Sequence, residues 1–352
     1  MTPTPTPRPG LRDVAPYVSP QLSAVARLNT NECPHPLPEG FADELADEVA
    51  TLPLNRYPDG QMTRLREELA ASVGHPVEGT WAANGSNEIL TQLMQAYGGA
   101  GRRVAVFEPT YLLHSRIAWL TQTDVVSLTL DDGFSLSEDR VAAAIDADPD
   151  AVFVCSPNNP TGNAQPVEAV ASLAGGTEAL VIVDEAYIEF GGSTCLPLVT
   201  DHPNVVVTRT MSKAFALAGA RIGYALASPD VVEDLQRVRL PYHLSAITQA
   251  AGVAALRHAK EAMAIIDAIR DERDRILAAL GKMSRVTVYP SDANFVLFVP
   301  PMPAAEVWQG LVDRDVLIRD VSSVVPNALR VTAGTTDEVE MFLSALEEVL
   351  TA

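Results

Sequence analysis

Six short, mostly apolar runs, the first four of them separated by stretches with helical periodicity, constrain this chain more than any other feature. They are Arg103–Phe107, Asp124–Leu130, Ala151–Cys155, Leu180–Val183, Val205–Thr208 and Ile222–Ala227, most of them rich in valine. β-branched runs of this length that are largely apolar read as strands buried on both faces. Helices between them, such as Tyr111–Thr121, Ser137–Ala147 and Val167–Leu173, supply the crossovers that a parallel sheet needs. The expectation is an α/β fold with a mostly parallel sheet covered on both sides. A further short strand, Trp81–Ala83, and a helix, Glu88–Tyr97, precede this block.

After Leu240-Pro241 the pattern changes. Two long helical stretches, Ser245–Arg257 and Glu261–Leu280, lead into the strand candidates Arg285–Tyr289, Phe295–Phe298, Val316–Arg319 and Ala328–Thr332 and a last helix, Asp337–Leu350. This predicts a smaller α+β domain. At the other end, Thr2 to Gly10 alternates threonine and proline, and the chain stays rich in Pro and Asn to Pro38, which predicts an extended tail and an irregular arm. The expected division is an arm over 1–30, a large domain over 31–258 and a small domain over 259–352.

In α/β sheets, ligands bind beyond the carboxyl ends of the strands. The polar punctuation of this chain falls there. Asn159-Pro-Thr-Gly162 follows one strand, Asp184-Glu-Ala-Tyr187 the next and Thr210-Met-Ser-Lys213 the one after; Gly85-Ser-Asn87 and Pro109-Thr-Tyr111 follow two others. Lys213 sits in a segment of small and apolar residues. Desolvation there lowers the proton affinity of an amine and makes it a nucleophile able to form a Schiff base. A buried lysine satisfied by a carboxylate is the plainer alternative. Ser212 and Arg221 offer donors for a phosphate beside it. Ser86 and Asn87 at a helix start offer backbone amides for the same anion, or simply cap the helix. Asp184 suits a pyridine nitrogen, Asn159 and Tyr187 a ring hydroxyl, and Tyr111 a ring face; taken singly, each reads equally as a strand-end, turn or core residue. Together these parts point to pyridoxal 5′-phosphate.

Composition narrows the class. A net charge of −20 lacks the basic stripe a nucleic acid or anionic membrane requires. Three cysteines without metal spacing fit a reducing cytoplasm and no metal site. No apolar run reaches the roughly 18 residues of a membrane span, and no signal segment opens the chain.

The order and spacing of these motifs resemble the fold-type-I pyridoxal-phosphate aminotransferases, from about Leu11 to the C-terminus. Leu28-Asn-Thr-Asn-Glu32, Arg56-Tyr-Pro-Asp-Gly60, Val183-Asp-Glu-Ala-Tyr187, Arg239-Leu-Pro-Tyr-His-Leu-Ser245 and Leu329-Arg-Val-Thr-Ala-Gly334 make the chain similar to the histidinol-phosphate aminotransferases within that group. The resemblance implies a seven-stranded, mostly parallel sheet and a homodimer. It implies that Lys213 is the Schiff-base lysine and proton shuttle, with Asp184 and Tyr187 acting beside it. It places Ser86, Asn87, Thr210, Ser212, Arg221 and Tyr57 around the cofactor, Tyr57 reaching the phosphate of the neighbouring subunit. It assigns Tyr17, Asn31, Arg319 and Arg330 to the substrate. The implied reaction takes L-histidinol phosphate and 2-oxoglutarate to imidazole acetol phosphate and L-glutamate. Aromatic amino-acid aminotransferases and threonine-phosphate decarboxylases share the motifs. Cys33 stands where the pattern has Asn, and Asn87 where Asp is common.

Overall fold

The computed structural model describes residues 5–16 and 22–351. Seven strands form one sheet in the order Thr80–Asn84, Ile222–Leu226, Val205–Thr210, Leu180–Asp184, Ala151–Cys155, Arg103–Glu108, Asp124–Thr129. All neighbours run parallel except at Ile222–Leu226, which is antiparallel to both strands it touches. The central strands Ala151–Cys155, Leu180–Asp184 and Val205–Thr210 are buried along their whole length. Asp124–Thr129 lies at the edge and keeps its polar residues in solvent, which is why it alone among the parallel strands alternates Asp, Ser and Thr with apolar residues.

Register is what this sheet contributes to function. Cys155 pairs with Asp184, and Asp184 with Thr208, so three successive strands end level with one another. The residues just past those ends are thereby delivered to one edge.

The second sheet is antiparallel, in the order Arg319–Asp320, Leu329–Thr332, Phe295–Val299, Thr287–Val288. Its core, built on Phe295, Phe298, Ile266, Ile269 and Phe342, is a separate cluster from the one around Trp81, Phe153 and Leu93. Tyr187, Phe190 and Ala214 reach from the large sheet into this second cluster, so the residues flanking Asp184 and Lys213 pack on the small unit.

Three features depart from the sequence expectation. Within the irregular arm, Ala26–Arg27 forms a strand paired in parallel with Val316–Leu317. The expected strand Val316–Arg319 is divided at buried Ile318: its first half pairs with the arm and Arg319–Asp320 turns onto Leu329–Thr332. Helices at Pro229–Val238 and Ala304–Val312 were not anticipated. The former carries its own signal, a Ser228 N-cap, Pro229 at the first position and buried Val231, Val232 and Leu235.

Candidate active site

A cavity of about 400 Å³ opens at the aligned strand ends, bounded by the arm on one side and the small sheet on another. Asp184 lies at its base, 2% exposed. One carboxylate oxygen is 3.2 Å from His114 Nε2, and the other is 3.5 Å from the Thr208 hydroxyl. The His114 imidazole lies flat on Phe153, ring centroids 4.5 Å apart, which fixes the direction from which it meets the carboxylate. Sequence alone did not single out His114. The available signal was its place one helical turn after Tyr111, on a helix start beside a strand end.

Glu185, the next residue, turns the other way. Its carboxylate is buried against Arg209 at 2.9 Å and accepts from the Cys195 amide at 2.6 Å and the Thr194 hydroxyl. It belongs to the scaffold and not to the cavity. Removing it alone strands a guanidinium in the interior, so Glu185→Ala is expected to lose about 3–5 kcal/mol of stability. The check is a urea midpoint, with a double replacement by Glu185→Leu and Arg209→Met recovering most of the loss.

One end of the cavity is built for an anion. The helix Ser86–Tyr97 begins at Gly85, φ 79°, and no side chain caps its first amides. Arg221 lies against this start: a Cβ added to Gly85 would sit 2.5 Å from Arg221 Nη2. A Cβ at Gly223 would sit 2.1 Å from the Ser86 nitrogen. Both glycines therefore let backbone and guanidinium close up around the same point. Arg221 Nη1 donates to Ser212 Oγ at 3.2 Å, and the Ser212 amide donates to Thr210 Oγ1 at 3.1 Å. Free helix amides, a hydroxyl and an arginine converge there, the donor set that takes a phosphate. Tyr111 lines the cavity nearby, its hydroxyl 3.4 Å from Asn87 Oδ1 and its ring edge-on to His114.

Lys213 is partly buried and lines the same cavity. Its Nζ donates to the Thr30 carbonyl at 3.0 Å, and among the described residues no carboxylate forms an ion pair with it. Burial, with help from Arg330 and Arg221, lowers its pKa from 10.5 to about 8, while Glu32 pulls the other way. Tyr187 Oη accepts from Asn31 Nδ2 at 3.0 Å and from Asn159 Nδ2 at 3.4 Å. Burial raises that phenol to about 12. Asn159 Oδ1 in turn accepts from Arg330 at 2.6 Å, and Arg330 also donates to the Asn29 carbonyl. Asn31 takes a left-handed φ of 55° and is clamped by Thr332, which accepts from its amide at 3.1 Å. Arm, large sheet and small sheet thus meet in one hydrogen-bonded chain.

The cavity brings together Asn31, Ser86, Asn87, Tyr111, Asn159, Asp184, Tyr187, Thr210, Ser212, Lys213, Arg221, Arg319 and Arg330. It does not include Tyr57, which is 79% exposed and stacks on Tyr242 with ring centroids 4.4 Å apart. Tyr17 lies outside the described residues. Cys33 packs at the margin of the second core cluster, and burial raises its thiol pKa, which disfavours the thiolate a nucleophile needs. Among the described residues no group of His, Cys, Asp and Glu could hold a metal. The pyridoxal phosphate expected from sequence fits: the cavity has an anion cradle that a Cβ at Gly85 would fill, a buried carboxylate at its base and an amine of lowered proton affinity.

Residues 23–346 match the family described as aminotransferase class I and II. A histidinol-phosphate aminotransferase of Frankia casuarinae is 48% identical over 98% of this chain and 90% of its own length. One of Thermobifida fusca is 47% identical over 96% of this chain and 94% of its own. Among solved structures, histidinol-phosphate aminotransferase from Sinorhizobium meliloti in complex with pyridoxal-5′-phosphate superposes with a TM-score of 0.88 at 25% identity, covering 97% of each chain. The enzyme of the same name from Clostridium acetobutylicum has a TM-score of 0.86 at 23% identity, covering 93% of this chain and 99% of its own, a likeness of fold.

Proposed function

We propose that this chain, which belongs to the aminotransferase class I and II family, moves an amino group between L-histidinol phosphate and 2-oxoglutarate, with pyridoxal phosphate as its cofactor. The products are imidazole acetol phosphate and L-glutamate. The substrate is the one in the names of its near-full-length relatives, and one observation of the structure supports an anionic substrate. Arg319 and Arg330 stand directly opposite each other on neighbouring strands, and both line the cavity. Like charges directly opposite each other are destabilising in a sheet, and a bound anion beside them would offset that repulsion. The pair lines the same cavity as the anion cradle at Arg221, and in this reading the cavity serves two anions: the cofactor phosphate and a second one on the substrate. An arginine pair binds a phosphate or a carboxylate with the same planar fork, as alternate half-reactions require.

When bound, pyridoxal phosphate supplies an electron-poor ring that takes up the charge left when a substrate Cα–H bond is broken. The chain does the rest. Ser86, Asn87, Thr210, Ser212 and Arg221 hold the phosphate. Asp184, fixed by His114 and Thr208, would pair with the ring nitrogen and keep it protonated. Asn159 and Tyr187 would hold the ring oxygen, and Tyr111 would cover a ring face. Lys213 takes the Cα proton at Nζ and holds it for return.

The active unit is a homodimer in this reading. Leu54, Tyr57, Leu240, Tyr242 and Ile247 are exposed, and the segments that carry them are joined by the Tyr57–Tyr242 stack and by Gln249 donating to the Asp59 carbonyl. That apolar surface suits a second copy, whose phosphate cradle Tyr57 would complete. Tyr17 is assigned with Arg319 to the substrate phosphate. Three thiols with no disulfide among the described residues, and no described helix long and apolar enough to cross a membrane, accord with a cytoplasmic enzyme.

The test is a single-turnover absorbance titration of the cofactor-loaded protein. L-histidinol phosphate is expected to discharge the cofactor band at far lower concentration than L-phenylalanine. Discharge by phenylalanine alone would move the enzyme to aromatic amino acids and withdraw the phosphate roles of Tyr17 and Arg319.

A further inference from the structure

The cavity is cationic except at two points. Lys213, Arg221, Arg319 and Arg330 line it, against the carboxylates of Asp184 and Glu32. Asp184 is committed at the base to His114 and Thr208. Glu32 is exposed, and its carboxylate makes no hydrogen bond among the described residues. The backbone leading into it is held nonetheless. Asn31 precedes it in a left-handed turn, clamped through its amide to Thr332 and through its carbonyl to Asn294. Thr30, one residue earlier, accepts from Lys213 Nζ. A carboxylate that lines the cavity and acts on the charge of Lys213, among residues otherwise suited to anions, asks for a cation or a strong donor on the substrate. The lining also has apolar side chains, among them Leu112, Val321 and Val324.

We infer that Glu32 is a specificity residue that accepts a hydrogen bond from the substrate's nitrogen heterocycle, while the apolar side chains pack against the ring face. The inference rests on the histidinol-phosphate reading. An imidazole presents one N–H donor when neutral and two when protonated, so it suits a lone carboxylate in either form. The same carboxylate disfavours the second carboxylate of glutamate at that position. Glu32 thus separates the two substrates of the ping-pong pair, where the arginines treat them alike.

The experiment is calorimetric binding to the cofactor-loaded Lys213→Ala protein, with and without Glu32→Gln. Steady-state kcat/KM on the Lys213 background runs in parallel. An exposed carboxylate pair of this kind is worth a few-fold in affinity, so Glu32→Gln is expected to weaken L-histidinol phosphate about fivefold. Glutamate affinity is expected to hold or improve. A phosphate ester of a 2-amino alcohol with a phenyl ring in place of the imidazole is expected to bind both proteins alike. Unchanged histidinol phosphate binding overturns the inference. An equal loss for glutamate overturns it too, since Glu32 would then be pairing with the ammonium group common to both substrates. If the parent protein binds no histidinol phosphate at all, it is the functional reading that has failed, and that result is seen before any variant is compared.

Discussion

Lys213→Ala is expected to abolish transamination and leave the cofactor phosphate bound. The two effects separate because the structure separates the groups. Arg221, Ser212 and the first amides of the helix Ser86–Tyr97 form the anion cradle without Lys213, and the only hydrogen bond of Lys213 Nζ among those described is to the Thr30 carbonyl. What is lost is the proton carrier, and a positioned acid–base side chain contributes about 10²–10⁴-fold on its own. The measurement is a single-turnover reaction with L-histidinol phosphate, repeated with a small primary amine in the buffer; partial rescue by the amine is expected, and wild-type turnover without it would remove Lys213 from the mechanism. A pH dependence follows from the same residue. Burial lowers the Lys213 pKa from 10.5 to about 8. Below pH 8 the amine carries a proton and cannot attack a carbonyl; above it the free base is present. The rate at which cofactor-free protein captures pyridoxal phosphate should therefore climb through about pH 8. A climb only near 10 would mean that Lys213 is solvated as an ordinary surface amine.

Much of this was legible in the sequence, and the reason is local. Short valine-rich runs specify buried strands, because little else tolerates such runs at that length. Asp184 ends one of them, and Asn159 and Lys213 follow within four residues of the ends of two others, so both their presence and their edge of the sheet can be read directly. What could not be read depends on pairings far apart in the chain. The strand Ala26–Arg27 is two residues long and exists only because Val316–Leu317 lies beside it. His114 looks like any helix histidine until the fold sets it against Asp184. The Arg319–Arg330 register appears only when Ile318 is buried and the strand changes partner. The hydrogen-bonded chain from Thr332 through Asn31 and Tyr187 to Asn159 and Arg330 links three regions and leaves no mark in any one of them.

Asp184→Asn tests the electronic half of the mechanism, as Lys213→Ala tests the proton-carrying half. The position is unusually well suited to a charge-only change. Asp184 is buried to 2% exposure, its backbone is held in register between Cys155 and Thr208, and its two oxygens face His114 and the Thr208 hydroxyl. An asparagine fills the same space and can still meet both neighbours, but it cannot keep a pyridine nitrogen protonated. The expected result is a fall in kcat of about 10²–10³-fold, the range for removing one preorganised electrostatic contact to developing charge. KM for the substrate should change little, because Arg319 and Arg330 lie elsewhere in the cavity. His114→Phe provides the graded comparison: it keeps the stack on Phe153, removes the donor from Asp184 and should lower kcat by less. A urea midpoint distinguishes the alternatives. If Asp184 served only to complete the interior, the asparagine protein would lose stability while each folded molecule kept its turnover. If it acts on the cofactor ring, turnover falls in a protein whose midpoint barely moves.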